Sequence, residues 1–289
     1  MSVKRLACVL LLALLPAGAA LGQERYFDSA GVRIRYVDRG AGAPVLLVHG
    51  FTASIETSWI DTGVLPDLVR DHRVIALDLR GHGKSDKPRD PLAYEELGMD
   101  LIRLLDHLGI ERAHVVGYSL GGIIVAKLLT SHPERFSSAV LGGAAYRRSR
   151  SEASDLAAEA AAREMEDTGL YRALVVSTAP TDEPPPTGEI IRARSRRIAS
   201  AGDVRAHAAL MRSRRAFVVT DAQIAAVRVP TLAVVGAADP ALPRVRAMQR
   251  RWPGLEIAVV AGATHPTVHP RGLLRRPELR SAIRRHIAR

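Results

Sequence analysis

Short runs of β-branched and apolar residues recur along the chain, each closed by glycine or a turn: residues 32–37, Pro44–Val48, Arg73–Leu77, 113–117, 138–141, 231–235 and Leu255–Val260. Runs of that length and composition read as strands. Several are separated by helical stretches. Residues 97–108 place Leu101, Leu104, Leu105 and Leu108 on one helical face, and Gly109 follows where a left-handed residue ends a helix. Residues 120–130, 243–251 and Pro277–Ile287 read as further helices. Strand, helix, strand at this spacing predicts an α/β protein with a mostly parallel central sheet and helices on both faces.

The alternation is interrupted once. Residues 146–227 are rich in Ala, Glu and Arg, show no strand alternation apart from a short run at 173–176, and are broken by TDEPPPTGE. Local propensity is helical and the prolines force a loop. The block is therefore expected to be a helical insertion into the sheet, forming a lid over the carboxyl ends of the strands. A length of 289 residues allows one large domain. Residues 23–289 are expected to form it, insertion included.

Lys4 and Arg5 precede the apolar run LACVLLLALLPAGAALG, and Ala17, Gly18 and Ala19 offer a small-residue cleavage site. The run is short for a membrane span and is quickly followed by polar sequence, so residues 1–22 read as a secretory signal peptide and the protein as exported, periplasmic or secreted. An uncleaved anchor is the alternative. Cys8, the one cysteine, lies in that segment, so a processed chain has no disulfide, cysteine metal ligand or thiol nucleophile.

The formal net charge of +11 suits anionic partners in principle. The basic residues, nearly all arginine, are spread along the chain with no zinc pattern and few aromatics to stack on bases, which argues against nucleic-acid binding. Nothing in the ligand spacing implies a metal or an organic cofactor.

Gly117-Tyr118-Ser119-Leu120-Gly121 follows a predicted strand and opens a predicted helix, the setting in which G-x-S-x-G lifts a serine above a sheet as a nucleophile. Bulky residues at Gly117 and Gly121 would crowd the turn. The Leu120 amide then points into the site from the helix N-terminus. His49-Gly50-Phe51 comes directly after the strand Pro44–Val48, where the Phe51 amide can supply a second oxyanion donor. His49 reads as a hydrogen-bonded support of that loop. In DLRGHGKSDKP, Asp78, Arg80 and His82 read as residues that tie down a glycine-rich turn rather than as catalytic groups.

Together HGF, DLRGHGKS, GYSLGG, VGAADP and GATH resemble the α/β-hydrolase fold superfamily, in its lid-bearing, cofactor-independent serine hydrolase branch. The resemblance covers nearly all of residues 23–289 and is informative about fold more than substrate. It implies a serine, acid, histidine order, with Ser119 as nucleophile. Asp239 in VGAADP matches the acid, and no other carboxylate occurs between Ala222 and Leu255. A helix cap before Pro240 is the other reading of Asp239. His265 in GATH matches the base, with His269 as the alternative. Relatives with an aspartate at the elbow (haloalkane dehalogenases, epoxide hydrolases) or a cysteine (dienelactone-type enzymes) differ at Ser119. The expectation is acyl chemistry on a small-molecule substrate, ester hydrolysis being simplest. Acyl transfer, perhydrolysis and carbon–carbon hydrolysis use the same triad, and the fold also serves non-catalytic binding proteins. Trp59 is a candidate for either pocket lining or packing, and the arginines of the insertion for facing solvent or an anionic acyl chain.

Overall fold

The strands β1 (Arg25–Ser29), β2 (Val32–Arg39), β3 (Pro44–Val48), β4 (Arg73–Leu77), β5 (Ala113–Tyr118), β6 (Phe136–Gly142), β7 (Thr231–Gly236) and β8 (Leu255–Val260) form one sheet in the order β1-β2-β4-β3-β5-β6-β7-β8. The computed structural model describes residues 24–148 and 151–289, without the side chains of residues 214 and 215. The expected signal segment, with Lys4, Arg5 and Cys8, lies outside the described residues. Pairing is antiparallel between β1 and β2 and between β2 and β4, and parallel from β4 through β8.

Strand β1 is the element that the sequence patterning does not reveal. RYFDS alternates weakly, and the turn that pairs it with β2 uses Ala30 and Gly31, both left-handed at φ 53° and 79°. Two-residue hairpins favour that conformation, but alanine is an uncommon residue to adopt it, so no Asn-Gly or Asp-Gly signal marks the turn.

Helices cover both faces of the sheet. On one side α2 (Met99–His107) and α3 (Leu120–Ser131) pack Leu101, Leu104, Leu105, Ile124, Val125 and Leu128 against Leu46, Val48, Ile75 and Val115. On the other, α1 (Val64–Leu68) and the C-terminal helix Pro277–Ile287 pack Leu65, Leu68, Leu279 and Ile283 against Val45, Leu47, Val74 and Val116. Successive strand residues thus feed opposite faces, as the pleat requires. Fully burying an aliphatic side chain of this kind contributes about 1.5–3 kcal/mol. Trp59, on a short turn of π-helix, is fully buried in the second cluster beside Ile55 and does not line the site.

Between β6 and β7 lie α4 (Glu152–Thr168), α5 (Arg172–Ser177), α6 (Gly188–Ala201), α7 (Val204–Arg212) and α8 (Asp221–Ala225). The run at 173–176, read from sequence as strand-like, is helical: it is the body of α5, with the Val175 amide donating to the Tyr171 carbonyl at 2.9 Å. Of that helix Val175 alone is buried, so an apolar tetrapeptide served one face of a short helix. Helix α4 starts on a Ser151 capping box and ends at Gly169 with φ 69°. It packs on α7 through Ala158, Ala161, Ala162 and Ala208, small residues that let the two helices approach closely, and through Met211. The proline loop is pinned to the sheet loops: Arg271 pairs with Asp182 at 2.8 Å and with Glu183, and the Thr181 amide donates to the Ala238 carbonyl at 3.0 Å. The last helices, α9 (Leu242–Gln249) and α10 (Pro277–Ile287), complete the layers.

Candidate active site

The sheet order reverses direction between β3 and β5, so the loops leaving these adjacent strands diverge and open a crevice at their carboxyl ends. Phe51 and Ser119 both stand there, one on each loop. Ser119 sits between β5 and α3 with φ 52° and ψ −113°. A non-glycine residue in such a region stores on the order of 1–3 kcal/mol of strain and is held by its surroundings. Two glycines make the turn possible. A Cβ at Gly117 would come 2.5 Å from the Gly121 carbonyl oxygen, and one at Gly121 would collide with the backbone of Val48. The Ser119 amide donates to the Gly142 carbonyl at 2.8 Å, which locks the elbow to β6.

Ser119 Oγ lies 3.0 Å from His265 Nε2, and His265 Nδ1 lies 2.9 Å from Asp239 Oδ2. With Asp239 as an acceptor, Nδ1 carries the imidazole proton and Nε2 is free to accept from the serine hydroxyl. Asp239 is fully buried at its side chain, while His265 is 12% exposed, enough to face the cavity. The other carboxylate oxygen of Asp239 accepts the Ala241 amide at 2.7 Å, so the same group also holds the turn that leads into α9. Both roles read for Asp239 in the sequence are thus geometrically present. His269 faces elsewhere: its Nε2 is 3.2 Å from Glu183 and its Nδ1 accepts the Arg271 amide at 3.1 Å.

Two residues that support this row escape sequence reasoning. The Tyr118 hydroxyl donates to the His265 backbone carbonyl at 2.5 Å, and its ring lies against the imidazole with centroids 5.5 Å apart. Gly143, left-handed at φ 57°, lies under the acid and base, and a Cβ there would stand 3.1 Å from both Asp239 Oδ2 and His265 Nδ1. In the sequence Tyr118 is only the variable position of the elbow, and Gly143 one of a glycine pair.

The facing loop is built by His49 and Asp78. The Leu79 amide donates to His49 Nε2 at 3.0 Å, so Nδ1–H donates to the Gly50 carbonyl at 2.7 Å. Burial holds this imidazole below its ordinary value, with Asp78 opposing. Asp78 accepts from the amides of Ile55 (2.8 Å) and Lys84 (2.9 Å) and from Arg35 (3.0 Å), closing the glycine-rich turn. Arg80 is bound to Asp100, whose carboxyl burial pushes up despite that partner. These contacts are structural. A Cβ at Gly50 would come 3.2 Å from Ser119 Cβ, so glycine lets this loop close on the elbow. Among the described residues, the amides of Phe51 and Leu120 donate to no other group, which leaves two backbone donors at the cavity beside Ser119.

Phe51 also meets the insertion. Its ring packs edge-on against His207 of α7 and His82, with centroids 5.1 Å and 5.7 Å away. His207 Nδ1 and the Tyr171 hydroxyl are hydrogen-bonded at 2.8 Å. Burial pushes the His207 imidazole down to about 4. Burial, with His207 and His49 alongside, likewise holds His82 well below its usual value.

The cavity above Ser119 has a volume of about 670 Å³ and is roofed by α4, α5 and α7. Phe51, Leu120, Ile123, Leu174, Leu210 and Met248 give it apolar walls, and Arg147 and Arg244 also line it. No helix among the described residues is long and apolar enough to cross a membrane, and none of their His, Cys, Asp and Glu side chains cluster to hold a metal.

Comparison with known proteins agrees with this geometry. The sequence profile of the α/β hydrolase fold matches residues 43–168. A 2-hydroxymuconate semialdehyde hydrolase from a Pseudomonas species is 40% identical over 123 residues, 42% of this chain and 43% of that one. A soluble epoxide hydrolase from a Corynebacterium species is 37% identical over 95 residues, 32% of each chain. These alignments span less than half the length of the curated relatives. Among solved structures, a thermophilic esterase from Thermogutta terrifontis superposes with a TM-score of 0.71 at 25% identity, covering 92% of this chain and 98% of that one. A bromoperoxidase from Bacillus anthracis gives 0.71 at 23% identity over 92% and 100%. The sheet order, the strained serine and these likenesses converge on one conclusion: the chain has the α/β-hydrolase fold, and residues 43–168 carry that family's sequence profile.

Proposed function

We propose that the protein is a serine hydrolase that cleaves carboxylic esters through a covalent acyl-serine. One observation carries the reading: Ser119, His265 and Asp239 are joined by contacts of 3.0 and 2.9 Å at the floor of an apolar cavity. In this scheme the Ser119 hydroxyl gives its proton to His265 Nε2 as its oxygen bonds to the ester carbonyl carbon. The negative charge that develops on the carbonyl oxygen is met by the amides of Phe51 and Leu120, and Asp239 stabilises the imidazolium. His265 then returns the proton to the departing alcohol. A water deprotonated by His265 attacks the acyl-serine, releases the acid and restores the hydroxyl.

The test is turnover of nitrophenyl esters of rising acyl length by the purified protein, with Ser119→Ala as control. Saturable hydrolysis that depends on Ser119 supports the reading; a folded protein inert toward the whole series counts against it. Acyl transfer uses the same residues. A relative from Cupriavidus necator, named as the dihydrolipoyllysine-residue acetyltransferase component of an acetoin cleaving system, is 37% identical over 123 residues. Added alcohols separate the two, since a transferase yields the new ester and a hydrolase the free acid. We also propose that residues 1–22 direct export, which the N-terminal sequence of the protein recovered from culture would check.

A further inference from the structure

The cavity above Ser119 is asymmetric in charge. Arg147, Arg148, Arg244 and Arg251 line it, whereas Asp239 is its one lining carboxylate among the described residues and is committed to His265 and the Ala241 amide. Two of the arginines have partners: Asp221, just outside, takes Arg148 at 2.9 Å and Arg251 at 3.1 Å, and also the Tyr146 hydroxyl at 2.5 Å. Arg147 and Arg244 make no ion pair among the described residues. The Arg147 backbone is fixed, since its carbonyl accepts the Val219 amide at 2.8 Å, but its Nε is buried without a hydrogen-bond partner. Burial and the neighbouring charge of Arg244 disfavour the Arg147 cation, with Asp155 opposing. Two neighbouring cations lining one cavity, one with an unanswered buried donor, suit an anion with several acceptor oxygens.

We propose that Arg147 and Arg244 form an anion subsite, and that the substrate is an ester bearing a second carboxylate held there while its carbonyl lies on Ser119. Leu120, Ile123 and Met248 line the same cavity and suit a hydrocarbon segment as the spacer. The ligand is therefore amphipathic along its length: ester, apolar link, carboxylate. The inference rests on the reading of Ser119 as the nucleophile of this cavity.

Calorimetric binding of monomethyl adipate and of methyl hexanoate to the Ser119→Ala protein tests it, because the two esters differ chiefly in the terminal carboxylate and neither is consumed. The charged ester is expected to bind at least about tenfold more tightly, a difference of about 1.4 kcal/mol. Adding Arg147→Gln or Arg244→Gln should shrink that ratio to about twofold or less by removing a charge-assisted contact. Arg192→Gln, an exposed position on α6 outside the cavity, should leave the ratio intact and so separates a built site from the protein's general positive charge. Equal binding of the two esters, no binding of either, or a preference that survives both cavity substitutions would overturn the subsite. Turnover of neutral nitrophenyl esters by the wild type is scored separately. Hydrolysis without a carboxylate preference leaves the hydrolase and removes the anion site, while a preference in a protein that hydrolyses no ester does the reverse.

Discussion

The sheet with its carboxyl-end loops and the helical insertion that roofs them divide the work in different ways. In the sheet region, position is set by backbone: Ser119 is strained at φ 52°, Gly143 lies under the acid and base, and Asp239 is fixed by its contact to the Ala241 amide. In the insertion, position is set by side chains packing on a scaffold of small residues and by ion pairs such as Arg271 with Asp182. Reacting atoms must hold their geometry within fractions of an ångström, whereas a wall that contacts the rest of the substrate can be varied. Substitutions should therefore cost rate in the sheet loops, and selectivity or anchoring in the insertion.

The largest effect should come from the row itself. Ser119→Ala is expected to lower kcat by on the order of 10⁶, with the fold retained in circular dichroism, and His265→Ala by a similar factor, because such residues act as a unit. His269→Ala, facing Glu183 rather than Ser119, should change kcat by less than about tenfold. A large loss with His269→Ala and little with His265→Ala would break the assignment.

Next comes the floor under the pair. Gly143→Ala introduces a Cβ 3.1 Å from Asp239 Oδ2 and His265 Nδ1 at a left-handed position. Displacing a catalytic pair by a fraction of an ångström to an ångström should cost kcat about a hundredfold with a smaller change in KM, read from steady-state kinetics. Tyr118→Phe removes the hydroxyl that holds the His265 carbonyl. It should cost about tenfold, because the ring still packs on the imidazole.

The contact between the two regions should show in stability against pH. His207 is held at about 4 by burial, below its ordinary 6.5. The unfolded chain therefore binds the proton first as pH falls. Stability is lost from about pH 6.5 down to about pH 4, by on the order of 3 kcal/mol at most from this group, and no further below that. Burial shifts His82 and His49 in the same direction. His207→Gln, which can still meet Tyr171 but cannot titrate there, should flatten this acid limb in urea unfolding followed from pH 7 to 4. An unchanged slope would remove His207 from the account. The smallest effect is expected at Arg271→Ala, where the ion pairs to Asp182 and Glu183 are exposed and screened by solvent, so the urea midpoint should barely move.

Legibility from sequence follows the same division. Strands β3 to β8 and helices α2, α3 and α10 are readable because their apolar periodicity and glycine punctuation are local, and the elbow because a strained turn needs Gly117 and Gly121 at fixed spacing. The positions of Asp239 and His265 were readable only through resemblance, since nothing local joins residues 26 positions apart. Strand β1 was hidden by its Ala30-Gly31 turn, and the run at 173–176 looked like a strand because four apolar residues do not distinguish one buried face from two. Tyr118, Gly143 and the cavity arginines are tertiary facts. Each gains its meaning from a residue far along the chain, and no period or spacing announces it.

The central claim is that Ser119 is an activated nucleophile, and labelling with a fluorophosphonate probe tests it most directly. The wild-type protein should take up one phosphonyl group, mapped by mass spectrometry to the peptide holding Ser119, with labelling abolished in Ser119→Ala and slowed by several orders of magnitude in His265→Ala. Labelling of folded wild type at some other residue, or a rate indifferent to His265, would contradict the account.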